Sequence, residues 1–147
     1  MILALALIGF QTFNSLQELN DSFPTEISCV NFLEDLRWNG EVSSPFDEFS
    51  RVYQCQSNRY RCRNTGKYFN VRTNTIFHGS KLELRTWFQA IWYYSRQPEL
   101  SPVELSALIN VSPKTAWLIQ KRLPKPMNTS ELTNNEMALT DWLSQLS

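Results

Sequence analysis

Residues 100–123, "LSPVELSALINVSPKTAWLIQKRL", constrain the fold of this chain more than any other stretch. They contain two helix starts of one kind, Ser101-Pro102 and Ser112-Pro113. A serine at the cap accepts a hydrogen bond from an orphaned backbone N–H, and proline at the first helical position gives up only a donor that had no partner. Glu104 stands three residues after Ser101 and completes a capping box. Asn110 falls where the first helix needs a left-handed residue, a conformation asparagine tolerates better than most. The spacing predicts two short helices joined by a tight Asn-Val turn, a helix-turn-helix. Val103, Leu105, Leu108 and Ile109 offer apolar positions to the first helix, Val111 to the turn, and Ala116, Ile119 and Leu123 to the second.

The preceding segment is also helical in period. Leu84, Trp87, Phe88, Ile91 and Trp92 form an apolar stripe too wide for a solitary surface helix, and Pro98 ends the run. Residues 51–77 have a different rhythm. "RVYQC", "RYRCR", "KYFNV" and "TIF" are short, rich in β-branched and aromatic types, and parted by polar turns. In "RYRCR" the alternation puts Tyr60 and Cys62 on one face and Arg59, Arg61 and Arg63 on the other. Residues 15–36 read as largely helical, with Ile27, Val30, Phe32, Leu33 and Leu36 at roughly helical spacing. A final amphipathic helix is expected from Asn135, with Met137, Leu139, Trp142, Leu143 and Leu146 apolar. The fold class is therefore α+β. An N-terminal helical segment (1–40) leads into a small antiparallel β module (41–80), a helix-turn-helix bundle (81–126) and a C-terminal helix (127–147).

Charge is segregated rather than scarce. The net charge is zero, yet Glu18, Asp21, Glu26, Glu34, Asp35, Glu41, Asp47 and Glu48 crowd the first third against Arg37 alone. From Arg51 to Arg85 eight basic residues face only Glu83. Such a dipolar chain can carry a local anion-binding face, though a solvated surface whose halves attract each other has the same charge pattern. The three cysteines (Cys29, Cys55, Cys62) give no disulfide framework and point to a reducing compartment. The start, "MILALALIGF", is too short to span a bilayer and lacks a basic leader, so it reads as a core-packing or partner-facing segment. The expected location is cytoplasmic, with no membrane partner.

Three stretches together resemble the N-terminal region of insertion-sequence transposases of the ISXO type, relatives of the Merlin elements. They are "FPTEISCVNFLEDLRWNG", "RYRCRNTGKYFNVRTNTIFHGSKLELRTWFQAIW" and "LSALINVSPKTAW". The resemblance implies a zinc-ribbon-like module followed by a helix-turn-helix that together recognise the element's terminal inverted repeats, and then a separate metal-dependent catalytic domain. Two departures limit the transfer. Where the pattern would place paired cysteines, this chain has Ser44 and Asp47, then Cys62 and Thr65, so the β module is expected to be metal-free. It is then held by packing of Tyr53, Tyr60, Tyr68, Phe69, Val71, Ile76 and Phe77, with Cys55 and Cys62 as small buried apolar residues. Glu131, Glu136 and Asp141 lie near a terminal helix without a scaffold to gather metal, which argues against transposition or nuclease chemistry.

The leading expectation is a non-catalytic protein that binds double-stranded DNA. Lys114, Thr115, Trp117, Leu118, Lys121 and Arg122 of the second helix would meet base edges and phosphates, and Arg59, Arg61, Arg63, Lys67 and Arg72 would hold backbone phosphates. Trp117 is ambiguous, with burial against the Trp87 helix slightly favoured. The other reading is a protein-interaction or inhibitor module that binds a nucleic-acid-processing enzyme through acidic patches, or pairs with itself. One histidine and no nucleophile–base pair argue against an enzyme. No cofactor and no metal are expected.

Overall fold

A computed structural model describes Phe10 and residues 12–123; the expected terminal helix lies outside them, as do the first nine residues. The described residues form five helices and one three-stranded antiparallel sheet, an α+β fold as expected. In chain order these are α1 (Leu16–Ser22), α2 (Glu26–Trp38), β1 (Val52–Gln54), β2 (Tyr60–Cys62), β3 (Tyr68–Phe69), α3 (Leu84–Arg96), α4 (Pro102–Ile109) and α5 (Pro113–Arg122).

The single helix expected over 15–36 is two. Pro24 disfavours a helical conformation at Phe23, which sits at φ −126°, ψ 69°. Thr25 then opens α2 with a capping box shared with Ser28. The break lets Phe10, Phe23, Phe32 and Phe88 form one aromatic cluster, with Phe23 and Phe88 edge to face at 5.0 Å between ring centroids. Phe10, the described end of the apolar N-terminal stretch, is fully buried there.

Helix α3 is the hub. All five apolar residues of its expected stripe are buried, and α1, α2, α4 and α5 pack on it. Its N-terminus has no side-chain cap of its own. Glu26, from the first turn of α2, supplies one: its carboxylate accepts from the Leu84 and Arg85 amides at 2.8 and 3.3 Å and from the Arg72 guanidinium at 3.1 Å. An anion at that end also complements the helix dipole.

The sheet runs β1-β2-β3, with Tyr53 opposite Arg61 and Arg61 opposite Tyr68. Its first hairpin turns through Ser57 and Asn58 at φ +60° and +56°. Two successive left-handed residues match the twist of the flanking strands, so this turn sets the register. Tyr60, Cys62 and Phe69 face inward and are buried, and Tyr60 donates to the Glu34 carboxylate at 3.1 Å.

Several packing expectations are corrected here. Tyr53 and Tyr68 do not hold the sheet from within; they are 46% and 51% exposed. The register puts them in the Arg61 row, on the face opposite Tyr60 and Cys62. Cys55 is only half-buried. "TIF" is not a strand: Asn74 is left-handed, and the Thr75 and His78 amides close consecutive turns on Arg72 and Thr75. Ile76 and Phe77 are nonetheless buried, so the apolar signal was sound and only its secondary structure differs.

Candidate nucleic-acid interface

The α4–α5 pair follows its sequence signals closely. Ser101 and Glu104 form the reciprocal capping box at 3.2 and 2.9 Å. Asn110 is left-handed at φ 59°, ψ 51°, and Ser112 accepts from the Thr115 amide at 3.2 Å. Leu105, Ile109, Ala116, Ile119 and Leu123 are buried between the helices and α3. Val103 and Leu108, expected to help, point away from that seam and are exposed.

On α5 the buried positions leave Lys114, Trp117, Leu118 and Lys121 outside. Their spacing of three, four and seven residues makes them one continuous helical stripe. Trp117 is 49% exposed and Leu118 45%, so the tryptophan belongs to the outer face and not to the core against Trp87. Trp87 packs instead on Phe77, whose ring meets it edge to face at 5.3 Å. The Lys121 ammonium lies 4.9 Å from the Trp117 ring centroid, which holds the indole in a cationic setting. Thr115 is half-buried and accepts from the Ser112 hydroxyl at 2.9 Å. Arg122 turns back: its guanidinium donates to the Ile76 and His78 carbonyls at 3.1 and 2.9 Å, tying α5 to the loop after the sheet.

Arg59, Arg61 and Arg63 are exposed on the outer face of β2 and its flanks, and none has a carboxylate partner among the described residues. Arg59 lies 4.1 Å over the Tyr68 ring, and Lys67 stands 5.2 Å from the Phe46 ring. Arg72 is apart from them. It donates to the Ser80 and Leu82 carbonyls and pairs with Glu26, so its donors are occupied inside the fold.

The positions where a zinc ribbon would carry ligands come together in part. Cys62 is fully buried, with the side chains of Ser44, Ser50 and Thr65 about its sulfur and the Ser50 hydroxyl donating to the Arg51 carbonyl at 2.9 Å. Ser44 accepts from the Phe46 and Asp47 amides at 3.1 and 3.3 Å, and Thr65 from the Lys67 amide at 3.3 Å. Asp47 instead turns to the Asn64 amide at 2.8 Å, which helps hold its carboxyl below the usual range. One thiol among neutral hydroxyls does not fit structural zinc, which wants four thiolates or imidazoles. Among the described residues no three histidine, cysteine or acidic side chains converge. Burial opposes ionisation of Cys62, but the surrounding hydroxyls and the Thr65 backbone amide outweigh it and bring the thiol down to about 6.

Sequence comparison gives this geometry an origin. The chain is 34% identical over 100 residues to an uncharacterized protein in transposable element ISH50 of Halobacterium salinarum. The match covers 65% of this chain and 34% of that protein. An insertion-sequence-associated origin follows. No protein-family model matches the chain, and no solved structure does. No helix among the described residues is long and apolar enough to cross a membrane.

Proposed function

We propose that this chain is a DNA-recognition module related to a transposase N-terminal region, which binds duplex DNA without performing chemistry on it. Helix α5 enters the major groove with Lys114 and Leu118 toward base edges, and Lys121 reaches phosphate. Trp117 lies against the sugar-phosphate backbone. Arg59, Arg61, Arg63 and Lys67 hold phosphates from the sheet. Thr115, at the helix start, faces the DNA backbone. Arg72 and Arg122 act indirectly, by fixing the sheet and α5 to the core. The observation that carries the reading is the outer stripe of α5, left uncovered by the described residues while the opposite side is locked in the core.

A mobility-shift titration at low salt, on random and inverted-repeat duplexes, tests this. Saturable binding is expected, with about a five- to 150-fold loss for Lys114→Ala and a similar loss for Arg61→Ala, since charge-assisted contacts are worth about 1–3 kcal/mol. Absence of any shift in the wild-type protein would overturn the reading in favour of a protein-binding or inhibitor module.

A further inference from the structure

We propose that the outer face of the sheet is a stacking site for unpaired nucleotides, so that this chain also binds single-stranded nucleic acid. The register places Tyr53, Arg61 and Tyr68 side by side across the three strands. The inward positions Tyr60, Cys62 and Phe69 are buried and complete the packing, so the outer tyrosines are not core residues displaced to the surface. At 46% and 51% exposure each offers much of its ring to solvent. With strands about 4.8 Å apart, the two rings stand roughly 10 Å from each other, far enough for each to take its own base. Arg59 covers one face of the Tyr68 ring, 4.1 Å from its centroid, so an incoming base meets the other face or stacks on the guanidinium itself.

The electrostatics select the occupant. Residues 51–82 hold seven basic residues and no acidic one. A cationic surface with exposed aromatic rings matches a strand whose phosphates and bases are both accessible. Duplex phosphates need the arginines but give the tyrosines nothing to stack on, because paired bases are hidden from a sheet lying on the backbone. The inference rests on the sheet being the phosphate-holding element of the proposed function, and it adds a ligand that α5 has no part in binding.

The test is fluorescence anisotropy on the full chain, with a labelled oligothymidylate of about 15 nucleotides, near the upper site size of small sheet modules. A duplex of equal length and an abasic deoxyribose-phosphate oligomer serve as comparators. Wild type is expected to bind the oligothymidylate at least about tenfold tighter than the abasic chain, since a base stacked on an aromatic side chain is worth about 1–3 kcal/mol. Tyr53→Ala with Tyr68→Ala should remove most of that difference and change duplex affinity less than about twofold, whereas Tyr53→Phe with Tyr68→Phe should keep it. Lys114→Ala should do the reverse, weakening duplex and sparing the single strand. Equal binding of an oligouridylate would support the same site with RNA as a ligand. Equal wild-type affinity for abasic and thymidine chains overturns the inference without any variant having to fold, as does parallel loss on single strand and duplex in the alanine pair. Loss of duplex binding alone would instead count against the proposed function.

Discussion

Cys62 occupies a position where a zinc ribbon would carry a ligand, yet its surroundings are packed and lined by hydroxyls. Three hydroxyls surround its sulfur where further thiolates would be needed, and they hold the thiol down to about 6 against an ordinary value of 9.0. Between those two values the unfolded chain binds a proton that the folded chain has released, so stability rises with pH across that window. Below about 6 both states are protonated and the contribution is lost. Cys29 has the opposite sign. Burial beside Glu26 pushes it up to about 12, so it withdraws stability as pH climbs above 9.0. Urea unfolding at intervals from pH 6 to 9 should therefore give a midpoint that increases with pH in the wild type, and the increase should vanish in Cys62→Ser. A midpoint equally flat in both proteins would mean that the hydroxyls do not stabilise the thiolate.

The helices differ in how much of their support is local. Helices α4 and α5 bring their own caps and their own left-handed stop at Asn110. Each of these devices links residues within a few positions, which is why the segment can be read directly from sequence. Helix α3 depends on distant help. Glu26 reaches its first two amides across 58 and 59 residues of chain and binds Arg72 at the same time. Such an acid cannot be told from its neighbours Glu18 or Glu34 by spacing, since only the fold decides which helix end it meets. Glu26→Ala leaves two amides and a guanidinium without their anion and should cost about 1–3 kcal/mol. Glu26→Gln keeps an acceptor and should cost roughly half as much. Chemical denaturation with unchanged m-value measures both. A loss below about 0.5 kcal/mol in the alanine variant would mean that solvent replaces the cap without penalty.

At the scale of the whole molecule, local patterns were legible and long-range partners were not. Period-two alternation separated Arg59, Arg61 and Arg63 from Tyr60 and Cys62, but it could not say which residues of the other strands share the arginine face. That needs the register, and the register is set by the left-handed pair Ser57 and Asn58, neither of them a glycine that would announce such a turn. Tyr53 and Tyr68 accordingly look like core residues in sequence and belong outside. Arg72 and Arg122 look like any other surface cation in sequence; their carbonyl partners lie in loops that only folding brings near. Trp117 breaks the usual pattern in which a tryptophan at helical spacing is buried: Trp87 meets Phe77, and Trp117 stays on the outer face of α5.

The charge map that remains after these assignments predicts a salt dependence. Of the residues expected to meet DNA, Lys114, Lys121, Arg59, Arg61, Arg63 and Lys67 are exposed cations without a carboxylate partner among the described residues. They sit on a chain of zero net charge whose first third is acidic, so the proposed attraction to DNA would come from the sheet and α5 and not from a general cationic surface. With Lys114 at a base edge and the other five each neutralising a phosphate, the slope of log affinity against log salt on duplex DNA is about −4.5, each contact contributing roughly −0.9. Removing Arg61 or Lys121 should make the slope shallower by about 0.9 apiece, additively in the double variant because the two act on separate phosphates. Arg72→Met should leave the slope unchanged while lowering stability, since its guanidinium is bound within the fold. A slope that moves with Arg72 as much as with Arg61 would show that the fold's internal ties open on binding and that the six-cation surface is not the one DNA meets.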